Sequence, residues 1–301
     1  MTTPDWKGGI FKTADEVDQA VNKYGMLTHA RIPAPEYHKT KALSHSTLKK
    51  ISDSPSKFIW DLENPKERSA VFALGEAIHA AILEPELFAK NYVKMPKFDR
   101  RTKDGKAGAE QWEAENQGKI GLSPNDWAVV TRVFERANSD QFFSQFFKQG
   151  EKETSFFVTD EATGIVKRCR PDNLVEVPGI GLVVVDLKST DCALEHVFNQ
   201  DIIKYGYLTA AAYYMDILEQ ALGERPAAFA ILAVEKTKDC DIAAFTFEED
   251  DLAVGKKIYS QWMDTYVRCR EANEWPGYER KFRPFKTPQW LLNSVENMNP
   301  F

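Results

Sequence analysis

The stretch "RPDNLVEVPGIGLVVVDLKST", Arg170 to Thr190, decides the reading of this chain. Leu182 to Val185, and then Leu187, are apolar on both faces of any strand they form, which marks an interior strand. Asp186 and Lys188 interrupt that run and, two positions apart, share one face. Asp186 therefore emerges where a core strand reaches an edge of its sheet. Asp172 lies fourteen positions earlier, across the turn signal Pro178-Gly179, so a hairpin brings it close to Asp186. Two carboxylates forced together repel unless a proton or a cation joins them. A hard divalent ion with oxygen ligands, Mg²⁺ or Mn²⁺, resolves the conflict, with Lys188 beside it. The plainer alternative makes Asp186–Lys188 a strand-end salt bridge and Asp172 a turn residue after Pro171.

The bulk numbers permit this. The chain has 301 residues, 43% hydrophobic and 28% charged, as an ordinary soluble domain requires. No apolar run nears the ~18 residues of a membrane span. The opening MTTPDWKGG lacks the apolar core of a signal peptide, so a cytoplasmic protein is expected. Cys169, Cys192, Cys240 and Cys269 have no C-x-x-C spacing and read as buried reduced thiols rather than a zinc or iron–sulfur site. The net charge of −6 argues mildly against nucleic acid. But Lys and Arg cluster at Lys94–Lys106, at Lys236 with Lys238, and at Arg280, Lys281, Arg283 and Lys286. These are solvated loops, or one basic surface inside an acidic whole.

Along the chain, Thr13–Tyr24 opens with T-x-x-E and reads as a capped helix. Two short helices follow from Leu43, then a strong helix from Ser69 to Leu83. Arg100–Gly108, charged and with two glycines, reads as a mobile loop. Helices are expected at Gln111–Gly118 and Asn125–Phe147. From Glu151 the sequence turns rich in Val, Ile and Phe with tight turn signals, which predicts three consecutive strands in an antiparallel meander. A helical stretch Ala193–Leu222, two strands and a helix Leu252–Glu274 complete it. The layout is α+β (mixed α/β): a segment 1–42, then a single domain 43–301 with a helical part 43–150 and a sheet core 151–301.

Five motifs in order resemble one family. "LSHSTLKKISDSPSKFIW" is similar to its S-x-S-x-L…S-P opening, and "LGEAIHAAILEP" to its G-x-x-x-H helix. "ETSFFVTDEATGIVKRCRPDNL" resembles its E-x-S and K-x-R-x-D strand pair, "VVDLKST" its D-x-K-T core, and "DIIKYGYLTAAAYYMD" its tyrosine-rich helix. This is the RecE-like branch, exodeoxyribonuclease VIII type, of the PD-(D/E)xK superfamily of phage and prophage exonucleases. The resemblance implies a restriction-endonuclease-like core and a metal-dependent exonuclease working from ends of linear double-stranded DNA, with Mg²⁺ or Mn²⁺ as cofactor. It also implies a homo-oligomeric ring and a single-strand annealing protein as partner.

Residue by residue, it implies that Asp172 and Asp186 bind metal, that Lys188 is the catalytic lysine, and that His79 and the Leu187 carbonyl are further ligands. Glu153 matches a strand-end glutamate, either a ligand or a bystander. Arg168 and Arg170 precede Asp172 at alternate positions, hence share a face with it; they contact phosphate or are exposed strand charge. Tyr205, Tyr207 and Tyr214 are DNA-contact candidates, with core packing the alternative for Tyr214. Ala210 stands where the family carries a glutamine. The rivals are another nuclease of the superfamily, endonucleolytic or single-strand-specific, a Cas4-like iron–sulfur nuclease, and an inactive DNA-binding relic.

Overall fold

The computed structural model describes residues 9–64, 70–237 and 239–296. Lys238 and the expected helix start at Ser69 lie outside them. The first half is mostly helical: α1 (Ala14–Tyr24), β1 (Met26–Ala30), α2 (Ala34–Lys39), β2 (Leu43–Ser44), α3 (His45–Lys49), α4 (Pro55–Glu63), α5 (Ala70–Leu83) and α6 (Pro85–Asn91). Then come β3 (Tyr92–Lys94), α7 (Lys103–Glu115), β4 (Ile120–Leu122), α8 (Pro124–Ser139) and α9 (Gln145–Lys148). The strand-rich half is β5 (Glu151–Lys152), β6 (Ser155–Thr159), β7 (Val166–Cys169), β8 (Asn173–Val177) and β9 (Gly181–Thr190). It ends with α10 (Glu195–Tyr205), α11 (Tyr207–Leu222), β10 (Ala228–Glu235), β11 (Ile242–Thr246), α12 (Glu249–Ala272) and α13 (Gln289–Glu296).

β9 is the interior strand the apolar run predicts. It pairs antiparallel with β8, and parallel with β10 from Val183↔Ala228 to Thr190↔Glu235. The parallel pairing requires a crossover, which α10 and α11 supply. The sheet runs β11-β10-β9-β8-β5 between two helical layers. Val184 packs with Phe198, Tyr213 and Ile217 on one side, whereas Val183, Val185 and Leu187 pack with Ile78, Val130 and Val133 on the other. Helices on both faces are the reason the strand is apolar on both.

The meander is divided. β6–β7 and β8–β9 are both antiparallel hairpins, but β7 belongs to a second sheet, β1-β6-β7-β2. Pro171 has no amide proton for a ladder, and the chain changes sheets across Arg170–Asp172. The fold class stands, mixed α and β with helices about a central sheet.

Residues 10–42, expected as a segment ahead of the domain, pack into it. β1 pairs with β6, and Leu27, Tyr37 and Phe157 share a buried cluster. The expected loop 100–108 is instead the start of α7. Thr102 caps it by accepting the Gly105 amide, and a Cβ at Gly105 would stand 2.0 Å from the Asp99 carbonyl oxygen. That glycine serves close approach, not mobility. The expected helix 125–147 breaks into α8 and α9, and 193–222 breaks at Gly206, whose φ is +75°. No described helix is long and apolar enough to cross a membrane.

Candidate active site

The site forms where the chain changes sheets. In the β8–β9 ladder Asn173 faces Val185, and one step further Asp172 stands opposite Asp186. The Leu187 amide donates to Asp172 Oδ2 at 2.6 Å, which fixes that carboxylate against β9. The Glu153 amide, just past β5, donates to the Asp172 carbonyl at 3.2 Å. Glu153 has φ +51°, a left-handed backbone uncommon in a residue with a side chain.

His79 arrives from α5, which lies on the Leu187 side of the sheet. Gly75, one turn earlier, faces Ser189 of β9; a Cβ there would touch Ser189 Oγ at 3.4 Å. The small residue thus seats the helix on the strand, and the imidazole projects beyond it. His79 Nε2 lies 2.8 Å from Asp172 Oδ2, and His79 Nδ1 lies 3.4 Å from Glu153 Oε1. One ligating atom from each of His79, Glu153 and Asp172 lies within 4.8 Å of the others. Asp186 stands next to this group and is paired with Lys188, Nζ to Oδ2 at 2.5 Å.

The electrostatics follow from three half-buried carboxylates at one place. Burial, with Asp172 adding, pushes Glu153 up to about 7. Burial also raises Asp186, with Lys188 opposing and Asp172 reinforcing. Burial works against Asp172 too, but the adjacent His79 and the Leu187 amide hold it below the usual carboxylate range. Burial works against a charge on His79 as well, yet Asp172 and Glu153 outweigh it and raise the imidazole to about 9. Lys188 rises despite its burial, because Asp186 and Asp172 face it. A donor set of carboxylate oxygens and one imidazole, too rich in negative charge for its burial, fits a hard divalent cation.

The other expected residues fall in different places. The Leu187 carbonyl lies 3.5 Å from Lys188 Nζ, while its amide serves Asp172. Arg168, a phosphate-contact candidate, is buried and donates to the Tyr37 carbonyl and Thr40 Oγ1. Arg170 donates to Ser155 Oγ and the Ile32 carbonyl, both at 2.8 Å. Both guanidinium groups stack on Tyr37, at 4.5 and 4.0 Å from its ring centre. The sheet change explains this, since Arg168 and Asp172 are not on one continuous strand. Tyr214 is partly buried and packs against the core, with its ring edge-on to Phe229.

Tyr207 is at the site: Lys188 Nζ stands 5.4 Å from its ring centre. Tyr205, half exposed, lies 5.8 Å from Tyr207. Ala210, on the same helix as Tyr207, offers no polar side-chain atom, so a ring rather than an amide faces the lysine. Residues the motifs did not single out also gather here. His45 Nε2 and Thr209 Oγ1 are 2.8 Å apart, and Thr209 Oγ1 donates to the Gly206 carbonyl, so the imidazole is the donor. The four cysteines are free, and His79–Glu153–Asp172 is the cluster of ligating side chains found among the described residues. A cysteine-held cluster has no support there.

A strand carrying D-x-K, a proline–aspartate pair opposite it and a helix histidine define the PD-(D/E)xK class of nuclease folds. Residues 44–283, well over half of the chain, match the family described as "PDDEXK-like domain of unknown function (DUF3799)", and the chain belongs to that family. Among solved structures it is similar to "Putative exonuclease" from Eubacterium rectale. That protein is 15% identical with a TM-score of 0.57, and the match covers 89% of this chain and 99% of that one. The likeness shows the shared fold. "SSO0001" also matches, at 13% identity and a TM-score of 0.26, over 62% of this chain and 84% of that one. No curated protein matches the chain.

Proposed function

We propose that this chain is a divalent-metal-dependent deoxyribonuclease that digests linear double-stranded DNA from its ends and leaves single-stranded tails. The observation that carries the reading is the meeting of His79, Glu153 and Asp172 within 4.8 Å, beside the Asp186–Lys188 pair. The PDDEXK-like family supports nuclease chemistry, and the exonuclease name of the Eubacterium rectale protein favours attack from an end.

In this reading His79, Glu153 and Asp172, with Asp186 adjoining, hold Mg²⁺ or Mn²⁺. Such an ion supplies an acidified water and offsets charge at phosphorus. The Leu187 amide fixes the Asp172 carboxylate beside His79, where it would serve as a ligand. Asp186 orients Lys188, whose ammonium faces the phosphate oxygens as charge builds on them. Tyr207 walls the lysine from bulk water on one side. A ring around the duplex, and an annealing protein that receives the tail, belong to the same reading.

The test is digestion of linear and covalently closed circular duplex, with and without Mg²⁺ or Mn²⁺, beside Asp186→Ala. The expected result is metal-dependent loss of the linear form alone, abolished in the variant while DNA binding persists. Equal cutting of both forms makes the enzyme an endonuclease. Absence of metal-dependent cutting on any DNA removes the enzymatic reading.

A further inference from the structure

We propose that a strip of cations and aromatic rings, leading from Lys188 to the segment 278–290, binds single-stranded DNA. It takes its direction from the nuclease reading, since it begins at the catalytic lysine, but its binding chemistry stands apart from cleavage. From Lys188 to α3 the strip can be followed contact by contact. Beyond the Lys188–Tyr207–Tyr205 stack, Lys204 Nζ lies 4.9 Å over the Tyr205 ring. Lys49 Nζ donates to the Lys204 carbonyl at 3.2 Å, which carries the strip onto α3. Beyond α3, at the start of α4, Lys57 Nζ lies 4.0 Å from Asp53 Oδ2 and stands 5.3 Å over the ring of Tyr278. There the chain leaves the body of the protein, just after Trp275 has anchored it by stacking on Phe58 at 5.3 Å.

Past that anchor the pattern intensifies. Phe282, Phe285 and Trp290 are 106, 82 and 69% exposed. They are interleaved with Arg280, Lys281, Arg283 and Lys286, against the single carboxylate of Glu279, in a chain whose net charge is −6. Glu279 pairs with Lys281, and with Arg283 at 3.7 Å. Arg280 and Lys286 have no ion-pair partner among the described residues.

Two features favour a nucleic-acid strand over a second protein surface. Protein interfaces are depleted of charge at their apolar centres, whereas here cations are interleaved with the rings. Residues 282–288 form neither helix nor strand and present no single apolar face; the exposed apolar side chains of α13, Leu291, Leu292 and Val295, lie beyond them. Rings that stack on any base, with cations that neutralise phosphates between them, are the chemistry of single-strand binding. A duplex offers few free base faces, and so the rings select the unpaired strand.

The experiment uses the full chain in EDTA, so that nothing is cut, with a fluorescein-labelled oligothymidylate of about twenty nucleotides read by anisotropy. Phe282→Ala/Phe285→Ala/Trp290→Ala is expected to weaken binding roughly 10- to 100-fold. Arg280→Gln/Lys281→Gln/Arg283→Gln/Lys286→Gln is expected to flatten the slope of log Kd against log salt by about 2–3. Both variants keep the wild-type Tm and solution mass, because these side chains are exposed.

Unchanged affinity and salt slope overturn the proposal. Weaker binding that appears only with an altered solution mass also overturns it, and makes the segment a self-association device. If the wild type cuts no DNA yet these variants lose the oligothymidylate, the track stands and the nuclease reading falls. If the wild type cuts and the variants bind unchanged, the track falls and the nuclease reading stands.

Discussion

Glu153 holds a left-handed backbone at the position where its carboxylate meets His79 and Asp172. Local strain of this kind is tolerated where the surrounding structure fixes it. Because glycine alone is at ease there, Glu153→Gly is expected to be more stable than Glu153→Ala by about 1 kcal/mol, measured by urea unfolding. His45 gives a second prediction. Burial, with Lys49 and Lys188 adding, lowers its imidazole to about 4 from 6.5. Below pH 6.5 the unfolded chain takes up a proton that the folded chain refuses, so stability present above 6.5 is lost as the pH falls toward 4. Relative to His45→Gln, which keeps a donor for Thr209, wild-type stability drops by about 2 kcal/mol between pH 7 and 5. Asp172, Asp186 and Lys188 were legible in sequence because two-residue alternation and a hairpin turn determine which side chains meet. The partners of Arg168 and Arg170 were not. Alternation holds only within one strand, and the strand ends at Cys169.

At the scale of elements, two glycines with positive φ make opposite predictions. Gly150 (φ +91°) precedes β5, and a Cβ there would stand 2.3 Å from the Leu174 carbonyl oxygen. Gly179 (φ +79°), in the β8–β9 turn, faces open space. Gly179→Ala is expected to cost only the backbone penalty, about 1–2 kcal/mol. Gly150→Ala adds a collision with backbone that cannot yield, and is expected to cost about 3 kcal/mol or more by thermal unfolding. It also shifts Glu153 three residues on, so activity falls with stability. Individual strands and helices were readable from periodicity and capping: α1 starts after Thr13 and β9 covers the apolar run. The division of those strands between two sheets was not readable. Each hairpin is local, but whether two hairpins share a sheet is settled by long-range packing such as β1 against β6.

For the whole molecule, residues 10–42 are structural. Tyr37 and Thr40 supply acceptors for the buried Arg168 guanidinium, and β1 covers the edge of β6. A chain starting at residue 43 strands that charge, at a cost of about 3–5 kcal/mol. It also uncovers Phe157, whose burial contributes about 1.5–3 kcal/mol. Against a typical total of about 5–15 kcal/mol, such a chain is expected to aggregate or to melt well below the intact protein, by light scattering and calorimetry. The motif order marked where the resemblance to the family begins, since motifs mark chemistry. It did not show what the domain leans on, because Leu27 and Tyr37 carry no motif.

His79, Glu153 and Asp172 belong to separate stretches of chain, and they coincide only while α5 stays seated on β9 and the short β5 stays paired to β8. Loosening either contact parts the donors while the rest of the secondary structure stays intact. As urea rises, catalysis is therefore expected to vanish at concentrations where the far-ultraviolet dichroism is still that of the native protein.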